Sequence, residues 1–156
     1  MNDVHTPEVR SKNMRAIRGK NTTPELQVRK LLFARGLRFR LHDKRLPGAP
    51  DIVLPRYHTV VLVHGCFWHG HDCHLFKVPQ ARADFWMAKI GANRERDTRD
   101  LKALAEQGWR VICVWECALK GRLRQDPAVL GDTIAAIVRS EVNKNGVTEL
   151  RHLSAP

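Results

Sequence analysis

Thr59-Val60-Val61-Leu62-Val63-His64 is the stretch on which the reading of the fold turns. It is apolar nearly throughout, and a strand without a polar face belongs in the buried middle of a sheet. Working outward toward the N-terminus, Pro55-Arg56-Tyr57-His58 is a turn that leads back to a second short strand, Asp51-Ile52-Val53-Leu54, itself introduced by the turn Leu46-Pro47-Gly48-Ala49-Pro50. Before it, Leu37-Arg38-Phe39-Arg40-Leu41 alternates apolar and basic residues, which predicts a half-buried strand with arginines on its outer face. Thr23-Pro24-Glu25 supplies an N-cap, a first-turn proline and an early acid, and Leu26, Val28, Leu31 and Leu32 then run to a stop at Gly36, which predicts a helix.

Toward the C-terminus, residues 82–107 read as a long helix ending at Gly108, with Phe85, Ile90, Leu101 and Leu104 as core contacts and Gly91 as its weak point. Arg110-Val111-Ile112-Cys113-Val114-Trp115-Glu116 is a strand, and Asp126-Pro127 opens an amphipathic helix to about Val142. Helix, three strands, helix, strand, helix predicts an α/β fold with a mixed sheet flanked by helices. The 156 residues, 43% of them hydrophobic, suit a single domain at 23–142, preceded by a basic arm at 1–22 and followed by a polar tail at 143–156.

A formal charge of +11, from 27 Lys plus Arg against 16 Asp plus Glu, calls for an anionic partner, with nucleic acid the first candidate and a merely solubilising surface the plain alternative. Arg10, Lys12, Arg15, Arg18 and Lys20 lie in an arm with few large apolar side chains, suited to gripping DNA. No apolar run of membrane length and no secretion-type leader is visible, so a cytoplasmic chain with no membrane partner and with reduced cysteines is expected.

Five of the eight histidines fall between His58 and His74, and Cys66-Phe67-Trp68-His69-Gly70-His71-Asp72-Cys73-His74 puts two thiols and three imidazoles within nine residues. A structural zinc takes four such donors in a tetrahedron, and Cys117, just past a predicted strand, is placed to help. The spacing matches no common zinc finger or ribbon, and it leaves open which of His69, His71 and His74 completes the set. Cys113, inside a strand, reads as core. Asp51 begins a strand beside the one that ends at His64, so Asp51, His64 and the His69 loop are expected at one sheet edge. There a carboxylate can hold a hard divalent cation, and a histidine, oriented by Asp97 or Glu25, can work as a general base. Taken alone, an Asp after a proline is more often a turn residue.

Four stretches, Arg10-Ser11-Lys12-Asn13-Met14-Arg15-Ala16-Ile17, Leu46-Pro47-Gly48-Ala49-Pro50-Asp51, His64-Gly65-Cys66-Phe67-Trp68-His69 and Gly108-Trp109-Arg110-Val111 through Val114-Trp115-Glu116-Cys117, resemble the very short patch repair (Vsr) endonucleases. The resemblance implies a restriction-endonuclease-like core in which His64 stands where that fold usually has a lysine. It implies magnesium held by Asp51 and the Val63 carbonyl, at a position often threonine in the family. His69 would be the general base, Asp97 would orient it, and Glu25 and His64 would hold water. Zinc would be held by Cys66, His71, Cys73 and Cys117. Phe67, Trp68 and Trp86 would wedge between base pairs, Met14 would insert from the opposite groove, and Lys89 and Asn93 would read the mismatched bases. The bland alternative for Trp86 is a place in the core. The implied activity is a monomer that nicks 5′ of the mismatched thymine in T:G pairs left by deaminated 5-methylcytosine, with mismatch-repair proteins as possible partners. Two competing readings are a zinc-stabilised DNA-binding protein without nuclease activity and a site-specific nuclease acting on matched duplex.

Overall fold

The computed structural model describes residues 20–154, so Met14 and all of the basic arm before Lys20 lie outside the described residues. Helix α1 spans Thr23–Ala34, with the Thr22 hydroxyl accepting from the Glu25 amide at 3.4 Å. The cap is thus Thr22, one residue before the predicted Thr23. The helix stops where Gly36 takes a φ of +77°. Val28 and Leu32, one turn apart, form its buried stripe. Leu26 is 50% exposed, because two residues along a helix is more than half a turn away from Val28.

Strands β1 (Arg40–Leu41), β2 (Ile52–Leu54) and β3 (Thr59–His64) form an antiparallel meander, with a 3-10 turn at Pro55–Tyr57 between the last two. Leu37 is buried and Arg38 and Arg40 are exposed, as the alternation predicts, but pairing is confined to two residues and Leu41 is exposed at the sheet's edge. Helix α2 (Ala83–Glu106) then crosses over to β4 (Arg110–Trp115), which lies parallel to β3. It runs unbroken through Gly91, where a Cβ would meet nothing within 4 Å. Ile90 and Leu104 are buried as predicted, whereas Phe85, in the first turn, is exposed and lies edge-on to Trp86.

Glu116, predicted as the end of β4, instead begins a one-turn helix, α3 (Glu116–Leu119). Helix α4 (Pro127–Arg139) is capped by Asp126 and ends before the predicted Val142. There the buried Arg110 guanidinium donates to the carbonyls of Val138 (3.0 Å) and Val142 (3.1 Å), satisfying chain ends that would otherwise be orphaned. Val147–Leu150, within the stretch expected to be a polar tail, forms strand β5, parallel to β4 at the other sheet edge. An edge strand that is only half-buried carries too weak an alternation to stand out in sequence.

The sheet order is therefore β1-β2-β3-β4-β5, with β3 central. Its two faces separate by parity. Ile52, Leu54, Val61, Ile112 and Val114 meet Val28 and Leu32 of α1 and Leu130, Ile134 and Val138 of α4. Val53, Val60, Leu62 and Val111 meet Leu104 of α2. This parity assigns Val63 to the α1/α4 face and His64 to the α2 face.

Candidate active site and metal centre

The C-terminal end of β3 gathers polar side chains from five directions. Asp51, immediately before β2, accepts at Oδ2 from the Val63 amide at 2.7 Å. Its Oδ1 faces Nδ1 of His42 at 4.0 Å. Burial raises the Asp51 carboxyl to about 6; the Val63 N–H opposes the shift and the neighbouring Glu25 adds to it. Glu25, only 3% exposed, is held by α1: its Oε2 accepts from the Asn21 amide and from the Arg29 guanidinium, each at 3.0 Å. The same Arg29 nitrogen lies 3.0 Å from His42 Nε2. Donor atoms of Glu25, His42 and Asp51 all fall within 4.8 Å of one another, a pocket of hard donors suited to a divalent cation.

On the α2 face, the ring of His69 stacks on that of His64, with centroids 4.0 Å apart and planes at 8°. Asp97, from the middle of α2, is hydrogen-bonded to His69 Nδ1. A carboxylate at Nδ1 keeps the proton there and leaves Nε2 with a free lone pair, the arrangement a general base requires. His64 is buried, and burial together with the neighbouring His69 lowers its imidazole to about 4. Cys113 Sγ lies 3.3 Å from His64 Nδ1. Gly70 has a φ of +58°, and a Cβ there would sit 2.7 Å from Ile90 Cγ2. Only glycine lets the His69 loop close so tightly on α2.

Beyond that glycine the donors become soft. Nδ1 of His71 is 3.6 Å from Sγ of both Cys66 and Cys117, and donor atoms of Cys66, His71, Cys73 and Cys117 all lie within 4.8 Å of one another. Tetrahedral zinc with ordinary bond lengths spaces sulfur and nitrogen ligands about 3.6 Å apart, so these side chains fit the ion. Cys66, His71 and Cys117 are buried, and the His71 ring stacks on Trp115 at 3.9 Å. The His152 amide, just past β5, donates to Cys117 Sγ at 3.4 Å. Of the three histidines the spacing left open, the geometry puts His71 in the soft cluster and His69 with Asp97; His74 joins neither.

Phe67, Trp68 and Trp86 lie edge-on to one another, with centroids 5.2–5.8 Å apart. All three are half-buried, so Trp86 belongs to a surface ridge and not to the core. Lys89 Nζ lies 5.9 Å over the Trp68 ring, and Asn93 donates to the Trp68 carbonyl at 2.8 Å while accepting from Arg96. In this arrangement the Asn93 amide secures the aromatic loop. His42, Arg29 and Trp115 were not anticipated at the site. No sequence signal marks His42, whose place between Glu25 and Asp51 comes from a left-handed turn at φ +48° after β1.

Hard donors and a carboxylate-paired imidazole on one side, with a closed soft-donor cluster on the other, define a class: an α/β protein carrying the donor sets that a metal-assisted hydrolase with a structural metal would need. The family model for DNA mismatch endonuclease Vsr matches residues 2–75. The chain is 56% identical over 122 residues to the DNA mismatch endonuclease Vsr of Escherichia coli, covering 78% of each chain. It is 52% identical over 136 residues to the type II nicking enzyme V.XorIIP of Xanthomonas oryzae pv. oryzae, covering 82% of this chain and 100% of that one. It is 49% identical over 122 residues to the type II nicking enzyme V.NmeAIP of Neisseria meningitidis serogroup A, covering 78% of this chain and 87% of that one. The chain belongs to the Vsr DNA mismatch endonuclease family.

Proposed function

We propose that this protein is a DNA mismatch endonuclease of very short patch repair, nicking 5′ of the mismatched thymine in T:G pairs that arise from deaminated 5-methylcytosine. The observation that carries the reading is the His69–Asp97 pair set beside the half-buried Asp51, within a chain of this family. The core is then a restriction-endonuclease-like one, working as a monomer in the cytoplasm.

His69 Nε2 takes the proton of the attacking water as the water oxygen bonds to phosphorus and the P–O3′ bond breaks; the leaving oxygen takes a proton from a second water, giving a 3′-hydroxyl and a 5′-phosphate. Asp97 holds the imidazole in the required tautomer and stabilises it once it is charged. Asp51 and the Val63 carbonyl would hold magnesium, which would supply positive charge where the phosphate and the leaving oxygen become more negative. Glu25 and His64 hold water at the site. Cys66, His71, Cys73 and Cys117 would hold zinc, which would fix the loop from which His69 projects. Phe67, Trp68 and Trp86 supply an aromatic wedge: unstacking costs least beside a weak pair, which favours mismatched over intact duplex. Lys89 over Trp68 brings positive charge to the same ridge, and Met14 in the basic arm is proposed to enter from the opposite groove.

The test is magnesium-dependent nicking of two duplexes identical except for one T:G mismatch in a CT(A/T)GG-like context, with wild type and His69→Ala. Strand-specific nicking of the mismatched duplex alone, lost in the variant, is the expected result. Tight binding without nicking would make this a recognition-only protein, and equal cutting of the matched duplex an ordinary site-specific nuclease.

A further inference from the structure

We infer that Cys113 is a positioning residue for the nicking reaction: its thiol donates a hydrogen bond to His64 Nδ1 and thereby holds the His64 proton on Nε2. This rests on the proposed part of His64 at the site. The register between β3 and β4 sets Leu62 opposite Cys113 and His64 opposite Trp115, so His64 and Cys113 occupy neighbouring positions on the same α2-facing side of the sheet. Both are buried, and Sγ lies 3.3 Å from Nδ1.

The direction of the bond follows from chemistry. Sulfur is a weak acceptor, whereas the lone pair of a neutral imidazole nitrogen is a good one, so the shared proton sits on sulfur and points at nitrogen. The other neighbours of the His64 ring do not compete. His69 stacks face-on, and Trp115 meets the ring edge-on at 5.1 Å with no hydrogen-bond partner at its Nε1. With Nδ1 occupied, Nε2 must carry the N–H, and His64 presents a fixed donor to water or to a phosphate oxygen. Without the thiol the ring is free to take the other tautomer and present an acceptor instead.

Nitrogen-15 imidazole spectra of the full-length, zinc-loaded protein, with His64 identified by the signals lost in His64→Gln, read the tautomer independently of activity. Cys113→Val removes the donor, and Cys113→Thr, of the same shape as valine, restores one. We expect a single Nε2–H tautomer in the wild type, a mixture or the Nδ1–H form in Cys113→Val, and recovery in Cys113→Thr. On the T:G duplex, kcat should fall about three- to tenfold in Cys113→Val with KM unchanged, and recover in Cys113→Thr. Should the valine variant fail to fold, Cys113→Ala takes its place. Retention of a single Nε2–H tautomer in the donor-less variant overturns the inference, even where nicking falls. A wild type with the expected tautomer but no nicking would instead overturn the functional reading alone.

Discussion

Two clusters share the same end of the central strands and are built on opposite principles. In the Cys66–His71–Cys73–Cys117 cluster three of the four donors are buried, and backbone bonds and the Trp115 ring close it from outside. In the Asp51 and His69–Asp97 cluster each side chain keeps about a fifth of its surface open, at 19%, 21% and 24%. A closed set of soft donors fixes geometry, while an open set of hard donors and a base leaves room for a phosphate and water. Along the chain only Gly70 separates His71 of the first from His69 of the second.

The division is most sharply tested by Asp51→Ala. We expect nicking to fall about a thousandfold or more while mismatch binding persists, since the change removes charge stabilisation and leaves the aromatic ridge intact; retained cleavage would take Asp51 out of the reaction. Cys117→Ser should act in the opposite sense, on the fold. Zinc content measured by atomic absorption should drop and the protein should lose about 2–5 kcal/mol of stability, whereas full zinc occupancy would remove Cys117 from the ligand set.

A smaller effect distinguishes function from stability within the open cluster. The Asp51 carboxyl is raised from 3.8 to about 6, so the folded state disfavours its charge. That penalty is absent below the unfolded value and fully present above about pH 6, so this group makes the metal-free fold less stable as pH rises through that window. Asp51→Asn should therefore raise the thermal midpoint at pH 7, by an amount worth at most about 3 kcal/mol, and the gain should vanish near pH 4. A stabilisation that does not depend on pH would refute the electrostatic account. Least of all, Cys113→Ser should leave zinc content unchanged, because its sulfur faces His64 and not the soft cluster. Loss of zinc would move Cys113 across the dividing line.

Much of this was legible before any coordinates. The apolar run at 59–64 is the central strand, and the helix at 23–34 and the long helix at 83–106 lie where periodicity puts them, because burial stripes and caps are local properties of a chain. The density of cysteine and histidine at 66–74 likewise pointed to a soft metal site, although the spacing left its histidine open. The polar edge strand at 147–150 and the exposed Phe85 escaped that reading, because pairing with β4 and the direction of a helix face depend on neighbours distant in sequence.

The sequence by itself determined the order of elements, the basic charge and the kinds of donor present. Only the tertiary structure decided their partners. It gave His71 to the thiols and His69 to Asp97, brought His42 between Glu25 and Asp51 through Arg29, and set Cys113 against His64. The physical reason is that a strand fixes which face a side chain takes by parity alone, whereas which atoms meet across that face depends on the register of β4 against β3 and on how α2 lies over both.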